Sequence, residues 1–186
     1  MKYLSSLTLL ILLISGTLQA QNIIKPEKGF SDNIGNMITM LDDLKGRVTR
    51  SVSNLSQSEI DFLLDEKANR IGAMIMHLAA TEVYYQVFTF ENRGFNEEET
   101  AKWNVALRLG DPAREELKGQ PVSYYLDQWK EVRSKTKELL KTKDDQWFEN
   151  KVGSSSMNNH YAWYHVMEHQ ANHMGQIRLI MGRLPK

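Results

Sequence analysis

The sequence predicts an all-α protein, a four-helix bundle, on three observations. Four segments carry apolar residues at steps of three and four, the period of one buried helix face. Beyond the first 20 residues, no stretch sustains the apolar–polar alternation of a strand. The connection between the second and third segments is long enough to run the length of a bundle, which lets those two helices lie parallel.

The chain of 186 residues opens on a segment that stands apart from this pattern. Lys2 is the only charged residue among the first 20, Leu7 to Ile14 reads LTLLILLI, and Leu18-Gln19-Ala20 precedes Gln21. A basic start, a short apolar block and a small residue before the cut describe a secretory signal peptide. The block is too short to span a bilayer. The expectation is therefore cleavage after Ala20, residues 21–186 as one domain, export to the periplasm or medium, and no membrane attachment after cleavage.

The first helix is expected from about Ser31 to Val52, with Ile34, Met37, Ile38, Leu41, Leu44, Val48 and Val52 on one side and Ser31 as cap. Ser56 and Glu59 then have capping-box spacing, which predicts a short helical piece around Ile60 to Leu64. The second helix is expected from an Asn69 cap through Ile71, Met74, Ile75, Leu78 and Tyr85 toward Phe90. The connection from Asn92 to Gln120 holds Gly94, Gly110, Pro112 and Gly119, with Asn96 to Leu109 a helical candidate inside it. The third helix starts near Pro121 and carries Val122, Tyr125, Leu126, Trp129, Val132, Leu139 and Leu140. Thr142 to Met157 reads as a loop, and the fourth helix runs from about Asn159 to Arg183 with Ala162, Val166, Ile177, Ile180 and Leu184 on one side.

Composition removes several functions. With no cysteine there is no disulfide, no thiolate-ligated zinc, no iron–sulfur cluster and no cysteine nucleophile. Lys and Arg number 23, as do Asp and Glu, so the basic excess of a nucleic-acid binder is missing. Lys130, Arg133, Lys135 and Lys137 alternate with Glu131 and Glu138, which reads as a solvated helix face. There is no GxGxxG, P-loop or GxSxG motif.

The chemistry-bearing feature is histidine. Of His77, His160, His165, His169 and His173, three lie in the string HVMEHQANH at successive steps of four. Four residues advance a helix by about 6 Å and turn it by roughly 40°, so His165, His169 and His173 share one face, the one that also carries the apolar stripe. His77 lies in the middle of the second helix among Met74, Ala80 and Thr81. A single imidazole in such a place is ordinarily a hydrogen-bonded core residue. Several together each need a partner, and a metal satisfies them at once. An i, i+4 pair can give two ligands to one ion while a facing helix gives a third. Neutral imidazole suits zinc or nickel, with iron or manganese as alternatives. The zincin pattern is absent, because Gln170 stands where the catalytic Glu would follow the first His.

The string HVMEHQANHMGQIRLI resembles the last helix of the DinB/YfiT-like superfamily, and IGAMIMHLAATEVYYQ resembles its second helix, most closely in the DUF664-type branch. The similarity extends from Phe30 to Leu184. It implies an up-down-down-up four-helix bundle, often a homodimer, with a metal triad that falls here on His77, His169 and His173. His165 matches no ligand of that triad and is expected beside the site or in a pocket wall, and His160 on the surface. Characterised members of the superfamily are bacillithiol S-transferases and mycothiol-dependent isomerases. Their thiols belong to the cytosol, whereas residues 1–20 here read as an export signal.

The functional expectation is a metal-dependent transferase or hydrolase acting on a small molecule. Open positions on a three-His ion take water or substrate, and bound water becomes acidic enough to act as hydroxide near neutral pH. Gln176, Glu168 and Glu82 are candidate helpers, and Tyr161, Trp163, Tyr164 and Trp129 candidate pocket walls. The competing readings are a non-catalytic module that binds metal or a partner protein, and a plain bundle whose histidines only pack. No nucleic-acid partner is expected.

Overall fold

The structure, a computed structural model, describes residues 23–185. The expected export signal lies outside them. Eight helices are found among the described residues: α1 (Asp32–Val52), α2 (Gln57–Ile60), α3 (Ile71–Glu91), α4 (Glu97–Arg108), α5 (Gly110–Glu116), α6 (Val122–Leu140), α7 (Asp145–Glu149) and α8 (Asn159–Met181). The four long ones, α1, α3, α6 and α8, form the bundle.

Side-chain partners give the helix directions. Asp42 meets Arg133 and Lys45 faces Trp129, so α1 and α6 are antiparallel. Glu82 pairs with Arg133 and Gln86 with Thr136, so α3 and α6 run parallel. His77 packs on His173 and Tyr85 on His165, so α3 and α8 are antiparallel. The result is up-down-down-up, with α4 and α5 inside the long crossover. One close approach needs glycine: a Cβ on Gly72 would lie 2.6 Å from the Tyr125 ring.

Local chemistry sets the helix ends, not always as expected. Ser56–Glu59 and Asn96–Glu99 both form capping boxes. Ser31 precedes α1 but does not cap it. Its hydroxyl donates to Asp145 Oδ1 at 2.5 Å, and that carboxylate accepts from the amides of Asn33 and Ile34. A residue of α7 thus caps α1 from across the fold. This explains why Thr142 to Met157, expected as loop, contains a helical turn at that point. Asn69 does not cap α3 either; Arg70 occupies that position, and Asn69 Oδ1 instead accepts from the Gly110 amide. The short α5, built on Gly110-Asp111-Pro112, was not expected, because Gly and Pro mark breaks without excluding a single turn between them.

The core divides into two apolar halves. One gathers Val48, Val52, Ile71, Ile75, Tyr125, Trp129 and Ile177; the other gathers Ile34, Ile38, Leu41, Leu140, Phe148, Trp163 and Val166. Between them, each long helix contributes a polar side chain. Arg133 donates to Glu82 from Nε at 2.7 Å and from Nη2 at 2.9 Å, and from Nη1 to Asp42 at 2.8 Å. Trp129 Nε1, Thr136 Oγ1 and Gln170 Nε2 also donate to the Glu82 carboxylate. Glu82 is wholly buried and the Arg133 side chain is 5% exposed. Arg133 therefore leaves the solvated face on which its charge pattern placed it. In α3, buried on nearly every side, the one buried carboxylate, Glu82, needs a cation.

Replacing Glu82 by Leu strands the Arg133, Trp129 and Thr136 donors. We expect this variant to lose about 3–5 kcal/mol of stability in urea denaturation, and a loss below about 1 kcal/mol would show that the layer is dispensable.

Candidate metal centre

His77, His169 and His173 come together where α3, α4 and α8 meet. His77 is held from α4: its Nδ1 lies 2.9 Å from the Ala106 carbonyl oxygen. A carbonyl only accepts, so Nδ1 carries the hydrogen and Nε2 of the neutral ring keeps its lone pair. That nitrogen faces His169 Nε2 at 2.7 Å. The His77 ring centroid is 4.8 Å from those of both His169 and His173, which are themselves 4.5 Å apart. One donor nitrogen from each residue falls in a set whose members are all within 4.8 Å of one another.

Burial and mutual proximity keep these rings neutral. His169 is pushed down to about 3, first by desolvation and then by the neighbouring His173, His77 and His165. His173 is lowered to about 4 by desolvation and by His77, with Gln176 opposing the drop. His77 is also lowered by burial, against the pull of the Ala106 and Leu107 carbonyls. Neutral imidazole is the form that donates a lone pair to a metal.

The donor set fits a divalent cation on two counts. His173 Nδ1 is buried without any hydrogen-bond partner. The His77 and His169 Nε2 atoms lie 2.7 Å apart, with the Thr81 hydroxyl 3.5 Å from His169 Nε2 and a His173 nitrogen within 4.8 Å. In the metal-free protein His169 Nε2–H donates to His77 Nε2, but His173 Nδ1 is left without a partner, and three donor nitrogens this close together suit a cation.

The remaining expected site residues are distributed around this cluster. His165 is half-buried, its ring between Tyr85 at 5.7 Å and His169 at 6.0 Å. Glu168 is exposed, with Oε2 3.7 Å from His165 Nδ1, and Gln176 is exposed beside His173. Glu82 is not a helper: all its contacts belong to the polar layer. Trp129 and Trp163 are fully buried in the core, while Tyr161 and Tyr164 form an exposed pair 5.9 Å apart. His160 is on the surface, stacked on Phe148 at 4.4 Å. A groove of about 1000 Å³ between α1 and α8 reaches Met167 and Glu168 but includes none of the histidines.

Two contributors escaped the sequence reading. Ala106 acts through a backbone carbonyl, which no side-chain pattern reveals. Gln170, noted only as unable to act as a base, is 1% exposed and joins Glu82, one residue from His169. An amide flanked by two histidines on a buried helix face was the signal.

The fold and the cluster together define a helical-bundle protein of the DinB/YfiT-like type with three imidazoles gathered between helices. The family model described as mycothiol-S-transferase matches residues 36–184, and the chain belongs to that family. No curated protein matches it. The family and the cluster jointly suggest a divalent-metal site and a transferase-like protein with a small-molecule substrate.

The depressed histidines set a pH dependence for the metal-free protein. Between about pH 4 and 6.5 the unfolded chain binds protons that the folded chain refuses. The stability these neutral rings contribute is complete above about pH 6.5 and lost as the pH falls toward 4. After chelation, the melting temperature should fall more steeply over that interval than in a His169→Ala, His173→Ala double variant. Parallel curves would contradict the assignment.

Proposed function

We propose that this protein is a metal-dependent S-transferase that joins a small thiol to a small electrophile, with His77, His169 and His173 holding the metal. The observation that carries the reading is the convergence of three neutral imidazoles, one with a buried nitrogen that has no protein partner. Zinc or nickel suits three neutral imidazoles, with iron or manganese as alternatives. When bound, such an ion lowers the pKa of a thiol or water on its open positions and keeps the resulting anion available for attack.

The chain's own residues do the rest. His77 is oriented by Ala106, which fixes the tautomer and aims Nε2 inward. Thr81 stands beside His169 and offers a hydroxyl to whatever occupies the site. We assign receipt of the thiol proton to His165, whose ring neighbours that of His169. The sulfur comes from the substrate, because the chain has no cysteine. In the step, the S–H proton leaves to the base, a sulfur–carbon bond forms, and the leaving group departs with its electron pair. The family description points to mycothiol as the thiol.

Export and a homodimer belong to the same proposal. The apolar leader-like stretch Leu7 to Ile14 supports export. It also favours a second reading, since an exported enzyme is separated from cytosolic thiols: water then replaces the thiol and the reaction is hydrolysis. Metal binding without turnover on either class of substrate would mark a binding module.

Elemental analysis of untagged protein should find about one divalent ion per chain, lost in the His169→Ala, His173→Ala variant. A panel of small thiols with chlorodinitrobenzene, run beside ester and amide substrates, separates transferase from hydrolase. The double variant should lose more than the roughly 10–100-fold typical of disturbing a ligand's support. Protein that neither carries nor takes up metal, or a variant as active as wild type, would overturn the proposal.

A further inference from the structure

On the opposite seam of the bundle, between α1 and α6, lies a groove of about 490 Å³ whose charge is unbalanced. It is lined by Lys45, Arg50, Lys130, Arg133 and Lys137, with Asp42 as its one acidic residue. Arg133 and Lys137 are already matched, by Glu82, Asp42 and Glu27. Lys45, Arg50 and Lys130 form no ion pair among the described residues. Lys130 also borders Asp127 and Glu131 in the next groove, without pairing to either.

Three further features make this more than a surface charge run. The Lys45 ammonium is half-buried, its nearest aromatic companion the Trp129 ring at 5.3 Å, and its pKa is lowered by that burial and by Arg133. Thr49 lines the same groove, and its hydroxyl is buried without a hydrogen-bond partner. Gly46 leaves the space through which Arg50 folds back: a Cβ there would sit 3.1 Å from Arg50 Nη1. Arg50 and Lys130 are exposed and hydrated, so the cost falls on the half-buried Lys45 ammonium and the orphaned Thr49 hydroxyl, which an anion drawn in by the three cations would complete.

We propose that this groove binds a phosphate-class oxyanion, held by Lys45, Arg50 and Lys130 with the Thr49 hydroxyl donating to it. The anion is either a free phosphate or the headgroup of an anionic phospholipid, which share the same recognition chemistry. The site is separate from the histidine cluster and stands whether or not a metal binds there.

Inorganic phosphate and pyrophosphate, titrated at constant ionic strength, should produce saturable amide shifts in α1 and α6 around Lys45–Arg50 and Lys130–Ser134. A Lys45→Gln, Lys130→Gln double variant should bind about tenfold more weakly or worse. Thr49→Val, nearly isosteric, should weaken binding while leaving the melting temperature close to wild type, which separates lost binding from lost folding. Co-sedimentation with phosphatidylglycerol vesicles, but not phosphatidylcholine vesicles, would assign the headgroup as source; saturable phosphate binding without sedimentation would assign a free phosphate. Shifts matched by sodium chloride at equal ionic strength, or unchanged binding in both variants, would overturn the proposal.

Discussion

An imidazole removed from water must be given a partner, and the seam between α3 and α8 removes three from water at once. Ala106 satisfies one nitrogen of His77, and Thr81 stands at the edge of hydrogen-bond distance from His169. The inward nitrogens otherwise face each other. The hydrogen bond between those two rings leaves His173 Nδ1 without a partner, and that orphaned nitrogen beside two neutral imidazoles is the constraint from which the rest follows: three donor nitrogens in one place that a cation would satisfy together. A core built only for stability would have placed Leu or Met in these positions, with no unsatisfied nitrogen to compensate.

Such a cluster works only if the two helices that carry it keep their register, and the polar layer supplies that. Glu82 lies five residues beyond His77 on α3, and Gln170 directly follows His169 on α8. Both meet at the Glu82 carboxylate, which Arg133 of α6 clamps and ties through Asp42 to α1. A slide of either helix would break charged hydrogen bonds inside a dry core as well as shift apolar contacts. Apolar packing tolerates small slips; a buried carboxylate with five donors does not. The layer also separates the two apolar halves, so that each packs against a fixed boundary.

Much of this architecture could be read from residue spacing. The stripes on α1 and α6 mark their buried faces, because each of these helices has one dry and one wet side. In α3 the stripe loses meaning, since the helix is buried almost all round and its periodicity is flat. Two interactions stayed hidden because they join residues far apart in the chain. Asp145 caps α1 from more than a hundred positions away, and Arg133 turns inward to a carboxylate on another helix. Alternating charges along one helix cannot show that one of them is neutralised elsewhere. His165, His169 and His173 were legible for the opposite reason, because steps of four on one face are a local property, whereas His77 on another helix was joined to His169 and His173 by the resemblance to the DinB/YfiT-like superfamily. What had to await the fold was the Ala106 carbonyl that orients His77.

The chemistry available at the cluster depends on three nitrogens from two helices sharing one ion, a question of coordination. X-ray absorption at the edge of whatever metal the purified protein carries addresses it directly. A three-imidazole site should give a first shell dominated by nitrogen and oxygen at about 2.0–2.1 Å, if the metal is zinc, with the outer-shell scattering of three imidazole rings. That scattering should drop by one ring in a His77→Ala protein reloaded with the same metal. A spectrum without imidazole scattering, or one that is identical in the His77 variant, would contradict it.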